Sequence, residues 1–249
     1  MSRVYAPCTG GERVPTFDEL AYILKWHIHP VTGPIGAFFA RRYYGGATFS
    51  FLGAVHEYYV HHYHNTWTTE RAVEIPIALQ YLSRIRKDAV VLEVGNVLSH
   101  YPDGLRLISQ FQYTVVDKYE KAPGVVNEDV VDFTSPKPVD FILSISTLEH
   151  VGLDEGGSST KWRTAITRLL GSLAEDGKMM VTMPIGYNHD VDQCMRDGKL
   201  PFDRVHYLKR ISVDNRWREA SLDEAKWARF NFPYLAGNAI IVGFLEAPS

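Results

Sequence analysis

The sequence has little cysteine, no long apolar run and no excess of basic charge. Its 249 residues include only two cysteines, Cys8 and Cys194, too few for a disulfide framework, which fits a reducing compartment. Lys and Arg total 26 against 29 Asp and Glu, so the net charge of -3 lacks the basic excess typical of nucleic-acid-binding proteins. No stretch approaches the roughly 18 apolar residues of a membrane span, and the first residues lack the apolar core of a signal peptide. We therefore expect a cytoplasmic protein with neither a nucleic-acid partner nor a membrane span.

The composition is that of a folded globular protein, with 45% hydrophobic and 22% charged residues. Its aromatic residues are unevenly placed, because fourteen of the 31 lie in the first 67 positions together with six of the ten histidines. Glycines interrupt any long helix in this part of the chain. We interpret residues 1–69 as an aromatic- and His-rich N-terminal cap on a catalytic domain at 70–249, the two forming one globular unit.

Strands and helices alternate from residue 70 onwards. A helix is predicted over 70–86, kinked at Pro76, and another has apolar positions at helical spacing from Trp162 to Leu173. Glu175-Asp176-Gly177 is expected to form a turn. The pattern predicts a parallel sheet covered on both faces, with ligands bound at the carboxyl ends of its strands. The predicted strands are Ala89–Val94, Tyr113–Val116, Val125–Val126, Val139–Ser144, Lys178–Met183, Val205–Ile211 and Asn238–Leu245.

Acidic residues follow successive predicted strands. The first strand ends in Glu93-x-Gly95, where a glycine lets a ligand approach the backbone. Asp117 ends the second strand, 24 positions after Glu93, the spacing at which a carboxylate holds the two hydroxyls of an adenosine ribose. Asp129 follows the short third strand, and the fourth leads into a polar run that ends at His150. This order favours an adenosine site, although Glu93 as a helix cap and Asp117 as a turn residue remain alternatives.

These elements resemble those of the class I S-adenosylmethionine-dependent methyltransferases over roughly residues 70–249. The resemblance implies a Rossmann-like α/β fold, a doubly wound seven-stranded sheet whose last strand is antiparallel, and S-adenosylmethionine as cofactor. It also implies that the first loop contacts methionine, Asp117 holds the ribose and Asp129 the adenine. The first loop departs from the family pattern, because Val97 and Ser99 replace two glycines.

Further cofactor contacts are expected around this framework. Trp67 and Arg71 precede or begin the first helix, where Trp67 could stack on the cofactor and Arg71 could pair with its carboxylate, although an ordinary helix start explains them as well. The predicted cofactor-binding residues are Trp67, Arg71, Glu93, Gly95, Asn96, Val97, Ser99, Asp117, Lys118, Asp129, Val130, Ser144 and Ser146.

Three residues are candidates for the acceptor side of the site. His150 ranks first as a proton acceptor, and His189 with Asp190 ranks second. A core role for His150 and a helix-capping role for the other two are the structural alternatives. No metal ion is predicted; a divalent cation remains possible, with Asp190 and Asp192 as its ligands if activity needs one.

The walls expected around the acceptor are aromatic, acidic and histidine-rich, which favours O-methylation of a sugar hydroxyl on a glycan or an activated sugar. A small phenolic or natural-product hydroxyl is the alternative acceptor. A nicotinamide-dependent oxidoreductase is less favoured because G-x-G-x-x-G is absent after the first strand, and a non-catalytic binding module is less favoured because the acidic set is intact. The sequence does not indicate an oligomeric state.

Overall fold

The computed structural model describes residues 33–156 and 158–246. Its centre is an eight-stranded sheet in the order β5-β4-β3-β6-β7-β10-β8-β9. Strands β3, β4, β5, β6 and β7 are parallel neighbours, whereas β10 lies antiparallel between β7 and β8. The sheet strands are β3 (Val90–Val94), β4 (Gln112–Val116), β5 (Val125–Val126), β6 (Val139–Ile145), β7 (Leu173–Pro184), β8 (Arg204–Arg210), β9 (Trp217–Ala220) and β10 (Ala239–Glu246).

The first seven strands in this order, from β5 to β8, confirm the predicted Rossmann-like topology. The last strand, β10, is antiparallel to both of its neighbours, as expected, and all seven predicted strands are present. The eighth strand, β9, pairs with β8 at the edge and was not predicted. Two of its four residues are exposed and charged, so its sequence has no apolar alternation of the kind that identifies a strand.

Helices cover both faces of the sheet. Alternate residues of β3 point to opposite sides, Val91 into a core with α2 and α3 and Leu92 into a core with α4 and α5. Both faces are dry, which is why the parallel strands are almost continuously apolar. The helices are α1 (residues 33–44 in the described part), α2 (Arg71–Leu82), α3 (Pro102–Ile108), α4 (Lys161–Leu170), α5 (His189–Arg196) and α6 (Leu222–Ala225).

Helix α2 is shorter than predicted and is not broken at Pro76. Proline has no N–H to donate to the carbonyl of Ala72, four residues earlier. That carbonyl instead accepts a hydrogen bond from the backbone N–H of Tyr59 at 2.9 Å. The helix therefore tolerates the proline because the preceding segment satisfies the carbonyl that the proline leaves open.

Two boundaries around β7 also differ from the prediction. Helix α4 ends at Leu170, so Leu173 belongs to β7 and not to the helix. Glu175-Asp176-Gly177 does not separate two elements; it lies within β7, at a register shift opposite β6. Gly177 allows this irregularity, since an added Cβ would meet the carbonyl oxygen of Val139 at 2.7 Å.

The described part of the N-terminal segment packs into the domain. A hairpin of β1 (Thr48–Phe51) and β2 (Ala54–Glu57) lies against the β8–β9 edge, where Leu52 N–H donates to Glu219 at 3.1 Å. Phe49 and Phe51 are buried in the same core as α2. Phe49 and Phe51 therefore stabilise the fold and do not line the cleft described below. Residues 1–32 of the predicted cap lie outside the described residues. Within residues 33–156 and 158–246, no helix has the length and apolar character of a membrane span.

Candidate active site

A cleft opens at the carboxyl ends of the parallel strands, where the sheet topology predicts a ligand site. Its empty space is about 430 Å³, including the part open to solvent. The cleft is bordered by the loops that follow β3, β4, β5 and β6. Its lining residues are Val94, Gly95, Val116, Asp117, Lys118, Tyr119, Glu128, Asp129, Val130, Thr147, His150, Val151 and Glu155.

Glu93 lies below the first loop and not in the cleft. Its side chain is fully buried, and Oε1 accepts hydrogen bonds from the backbone N–H groups of Val97 at 3.3 Å and Leu98 at 2.9 Å. Oε2 accepts a hydrogen bond from the Tyr113 hydroxyl at 2.8 Å. Burial raises the pKa of Glu93 to about 7, against the opposing effect of these hydrogen bonds. This position corrects the expectation of a direct ligand contact, since Glu93 orders the loop that would make the contact.

Gly95 is required at its position for two reasons. Its φ of +85° is in the left-handed region that other residues disfavour. A Cβ added there would lie within 2.2 Å of Thr147 Oγ1. The backbone at the end of β3 and the Thr147 side chain after β6 therefore form one wall of the cleft, which a side chain at position 95 would fill.

Asp117 lines the cleft and orders two loops through backbone groups. Oδ1 accepts hydrogen bonds from the N–H groups of Tyr119 and Glu120, both at 2.8 Å, and Oδ2 accepts one from Asn96 N–H at 3.2 Å. The carboxylate is thus held in one orientation beside the cleft. Asn96 is buried and extends this network, because its side chain binds Glu120 at 2.6 Å and accepts a hydrogen bond from the Ser99 hydroxyl.

The other residues of the first loop that were predicted to bind the cofactor make contacts within the protein instead. Val97 is nearly buried and belongs to the apolar core with α2. Neither Val97, Ser99 nor Asn96 lines the cleft as it stands. Their place beside Gly95 still makes the loop backbone the cleft border at this end.

A group of four charged side chains spans the opposite end of the cleft. Asp129 Oδ2 accepts hydrogen bonds from Lys118 at 2.9 Å and Lys161 at 2.6 Å. Lys118 also donates to Glu155 Oε1 at 2.6 Å. Burial favours a higher pKa for Asp129, but the two lysines outweigh it and lower the pKa to about 2. Asp129 is therefore ionised, and Val130 follows it on the cleft wall.

His150 lies on the cleft wall in a 3-10 turn (Leu148–His150) just after β6. Its Nδ1 is 2.8 Å from Asp154 Oδ2, and the Tyr187 hydroxyl donates to Asp154 Oδ1 at 2.9 Å. The His150 and Tyr187 rings are in contact, with centroids 4.3 Å apart. Burial lowers the pKa of His150, while Asp154 opposes that shift. A histidine held in this way is neutral and oriented, as proton transfer requires.

A buried polar group lies beneath the end of β6. Arg71 Nη1 donates to Glu74 Oε2 and to the Ile145 carbonyl, both at 3.0 Å. Glu74 Oε1 accepts a hydrogen bond from Ser146 at 2.6 Å. Arg71 therefore has an internal partner, which differs from the predicted contact with a cofactor carboxylate, and Ser146 binds Glu74. Ser146 has a φ of +39°, a conformation imposed on it at the strand end.

Glu149 and Ser144 are also buried near this point. Neither carboxyl oxygen of Glu149 nor the Ser144 hydroxyl has a hydrogen-bond partner among the described residues. Burial raises the pKa of Glu149 well above its usual value. Three unsatisfied polar oxygens beside the cleft are unusual in a folded core and indicate a region that binds polar groups.

Trp67 does not lie over the cleft. It packs against α1, where a Cβ added to Gly36 would come within 3.0 Å of the indole, and it borders the core shared with α2. The expected stacking on a cofactor is therefore not the role that the structure gives Trp67. Tyr63 is closer to the loops of the site; it stacks on His100, whose Nε2 is 3.0 Å from Glu120 Oε1.

The second pair of catalytic candidates is not brought to the cleft. Asp190 accepts hydrogen bonds from Trp162 Nε1 at 2.9 Å and from both Nε and Nη2 of Arg163. His189 is the exposed first residue of α5. Asp192 accepts a hydrogen bond from Gly186 N–H at 2.9 Å. The cap of α5 is Asn188, whose side chain accepts a hydrogen bond from Asp190 N–H, so these three residues serve neither as caps nor at the cleft.

Two site residues, Thr147 and Asp154, were not identified from the sequence, whereas Tyr187 was expected on the acceptor wall. The spacing of Asp154 four residues after His150 is a signal that could have found one of them. Across residues 33–156 and 158–246, no group of three or more His, Cys, Asp or Glu side chains is arranged to hold a metal ion.

No protein-family model matches the chain, and no curated protein matches it in sequence. Some solved structures share part of its fold. The N-methyltransferase NodS from Bradyrhizobium japonicum WM9, in complex with S-adenosyl-L-homocysteine, is 15% identical over 70% of this chain and 85% of that one, with a TM-score of 0.43. The 1,6-didemethyltoxoflavin-N1-methyltransferase of Burkholderia thailandensis, with that compound and S-adenosylhomocysteine bound, is 15% identical over 96% and 94%, with a TM-score of 0.42.

A third solved structure, precorrin 8w decarboxylase from Methanobacterium thermoautotrophicum, is 12% identical over 70% of this chain and 90% of that one, with a TM-score of 0.40. It is named for a decarboxylation, whereas the other two are named for methyl transfer. Likenesses at these identities and TM-scores carry no argument about activity. The fold assignment rests on the strand order of the chain itself.

Proposed function

We propose that the chain is an S-adenosylmethionine-dependent methyltransferase. The observation that carries the proposal is the convergence of four strand ends on one cleft: Gly95 after β3, Asp117 after β4, Asp129 after β5 and Thr147 after β6. The first three of these positions were selected from the sequence as contacts for an adenosine-containing cofactor. Their meeting on one surface is what such a cofactor requires.

The cleft fits the cofactor at two ends. At one end Asp117 has its carboxylate ordered by backbone N–H groups, and its remaining lone pairs are available to ribose hydroxyls. At the other end Asp129 is ionised, so it can accept a hydrogen bond from the adenine amino group beside Val130. Gly95 presents backbone without a side chain at the cleft border, where the sulfur-bearing chain, which extends from the ribose away from the adenine, could lie against it. When bound, the cofactor supplies an electrophilic methyl group.

A nicotinamide-dependent oxidoreductase is less consistent with the first loop. Such enzymes bind a pyrophosphate on free backbone N–H groups at the start of a helix. Here Glu93 takes the N–H groups of Val97 and Leu98, and its carboxylate would repel a phosphate. A non-catalytic module is also less consistent, since the cleft contains an ordered His150–Asp154 pair that cofactor binding alone does not need.

For the acceptor, we propose a hydroxyl group, with the hydroxyl of a sugar on a glycan or activated sugar placed before a phenolic hydroxyl. The support is chemical: Tyr187 and Phe230 contact each other beside His150 and offer aromatic faces, while Asp154 and His150 offer polar groups. Sugar rings and phenols both suit such walls. The two acceptor classes are separated by experiment.

The proposal is tested by calorimetric titration with S-adenosylhomocysteine, with NADH as the control ligand. We expect saturable binding of S-adenosylhomocysteine and no binding of NADH; binding of NADH alone would overturn the proposal. Incubation with S-adenosylmethionine labelled in its methyl group, together with monosaccharides, nucleotide sugars and phenols, then identifies the acceptor. Label in phenols only would leave the methyltransferase in place and remove the sugar acceptor.

A further inference from the structure

We propose that Asp154, held by Tyr187, is a positioning residue that keeps His150 in the tautomer with hydrogen on Nδ1 and a bare Nε2. The proposal rests on the methyltransferase function and concerns the group that removes the acceptor proton. It explains three side chains from two separate loops by one arrangement. Asp154 and Tyr187 were not singled out from the sequence for this purpose.

The geometry joins two loops at the cleft. His150 and Asp154 belong to the segment after β6, four residues apart, with Nδ1 of the ring 2.8 Å from Asp154 Oδ2. Tyr187 comes from the loop between β7 and α5, and its hydroxyl donates to the other oxygen of Asp154 at 2.9 Å. The Tyr187 ring also contacts the imidazole and fixes its plane. Both oxygens of Asp154 are thus used, and its orientation is set from both sides.

This arrangement determines which ring nitrogen carries the hydrogen. An ionised carboxylate can only accept a hydrogen bond, so the nitrogen facing Asp154 must be the donor. Nδ1 is therefore protonated, and in the neutral ring Nε2 holds the lone pair. Nε2 lies 3.5 Å from Glu149 Oε1, and that oxygen has no hydrogen-bond partner among the described residues.

The other ionisable groups around His150 keep it neutral until it accepts a proton. Burial lowers its pKa, and the charge of Arg71 on α2 acts in the same direction. Asp154 opposes both and stabilises the imidazolium once it forms. Burial also raises the pKa of Glu149, the residue before His150. His150 is consequently ready to receive a proton at the pH at which it works.

The step that His150 serves is transfer of the methyl group to the acceptor oxygen. The acceptor oxygen forms a bond to the methyl carbon while its hydrogen passes to His150 Nε2 as a proton. The carbon–sulfur bond breaks, and its electron pair stays on sulfur, which loses its positive charge. The positive charge ends on the imidazolium next to Asp154. A hydroxyl acceptor needs such a base because an uncharged hydroxyl is a weak nucleophile.

The test is ¹⁵N NMR of the histidine side chains in the ligand-free protein, with His150 assigned from the signal lost in His150→Gln. We expect the Nδ1–H tautomer in the unmodified chain. Asp154→Ala should remove the preference for that tautomer, and both Asp154→Ala and Asp154→Asn should move the His150 titration to lower pH. Tyr187→Phe should shift the same signals less, and the exposed control Asp132→Asn should not shift them.

An Nε2–H tautomer in the unmodified chain, or a His150 titration that Asp154→Asn leaves unchanged, would overturn the proposal. The calorimetric titration keeps this outcome separate from the proposed function. Absence of S-adenosylhomocysteine binding would remove the function, whereas normal binding with the wrong tautomer would remove only the role of Asp154. In the labelled assay, Asp154→Asn should lower kcat by about 100-fold, with the acceptor KM within about threefold.

Discussion

Gly95 and Thr147 are in direct contact across the cleft, although 52 residues separate them in the chain. A Cβ on Gly95 would lie 2.2 Å from Thr147 Oγ1, 2.7 Å from Cγ2 and 2.9 Å from Cβ. Because these atoms follow β3 and β6, which are neighbours in the sheet, the contact joins the two loops at the cleft border. The conformation of Gly95, with φ at +85°, makes the same position intolerant of a side chain.

Gly95→Ala should therefore weaken both folding and cofactor binding. Backbone strain costs about 1–2 kcal/mol for a residue in the left-handed region, and overpacking adds about 1–3 kcal/mol. We expect the free energy of unfolding to fall by roughly 2–5 kcal/mol in urea denaturation. Affinity for S-adenosylhomocysteine, measured by calorimetry at a temperature where the variant is folded, should fall by at least about tenfold.

Gly124→Ala is the matched control. Gly124 has a similar φ of +80°, but a Cβ there meets nothing within 4 Å. The variant carries the backbone strain without the steric contact, so we expect a loss of about 1 kcal/mol and unchanged affinity. Equal effects of the two substitutions would contradict the role given to the Thr147 contact.

Asp117→Ala tests the ribose end of the cleft. Hydrogen bonds to a charged group contribute about 1.5–3 kcal/mol, so removal of the carboxylate should weaken S-adenosylhomocysteine binding by roughly ten- to a hundredfold or more. The loss also frees the N–H groups of Asn96, Tyr119 and Glu120, so thermal unfolding is recorded beside the calorimetry. Asp176→Ala is the control, because Asp176 is exposed near the amino end of β7, away from the carboxyl ends of the strands that border the cleft. Unchanged affinity in Asp117→Ala would remove the ribose assignment.

The order of the elements and their strand ends could be predicted because buried parallel strands are almost continuously apolar. Leu92 and Val94 face one core and Val91 the other, so β3 shows no polar alternation except at Glu93. The hairpin of β1 and β2 was not predicted, because the conformation of its turn was not recognised. Gly53 was interpreted as a helix breaker, whereas its φ of +76° next to Leu52 at φ 49° forms a tight strand-to-strand turn.

The positions of the site residues could be predicted better than their contacts. A strand end places Gly95 and Asp117 at the cleft whatever the side chains do. The direction of a side chain depends on partners distant in sequence, such as Tyr113 for Glu93 and Arg163 for Asp190. Those pairings depend on how helices and strands pack, and neither periodicity nor spacing encodes them.

The pH dependence of stability gives a test for Glu93. Its pKa is about 7 in the folded protein, raised mainly by burial from the ordinary value of 4.5 for the exposed group. Between these two values the folded state binds more protons than the unfolded state, so stability falls as pH rises. A shift of this size corresponds to roughly 2–4 kcal/mol for a fully buried group.

Glu93→Gln should remove this part of the pH dependence. A glutamine keeps an oxygen that accepts from Val97 and Leu98, but it cannot ionise. The difference in unfolding free energy between pH 5.0 and pH 7.5, from urea denaturation, should be smaller in the variant than in the unmodified chain by about that amount. Identical pH dependence in the two proteins would mean that Glu93 keeps an ordinary pKa. Glu93→Ala should instead destabilise at both pH values, because it leaves two N–H groups and the Tyr113 hydroxyl without a partner.

Asp190 should prove to be a stabilising residue and not a base. Its carboxylate accepts hydrogen bonds from the indole of Trp162, whose side chain is fully buried, and from Arg163, and so joins α5 to α4. Asp190→Ala leaves the buried indole N–H unpaired, at a cost of about 1–3 kcal/mol in the free energy of unfolding. Affinity for S-adenosylhomocysteine should stay within about twofold of the unmodified chain, since Asp190 does not line the cleft. His189→Ala, at the exposed neighbouring position, is the control and should change neither quantity. The contrary result is that Asp190→Ala keeps the unfolding free energy of the unmodified chain and loses methyl transfer. That result would mean that the carboxylate acts in the reaction, and that its contacts with Trp162 and Arg163 do not account for its role.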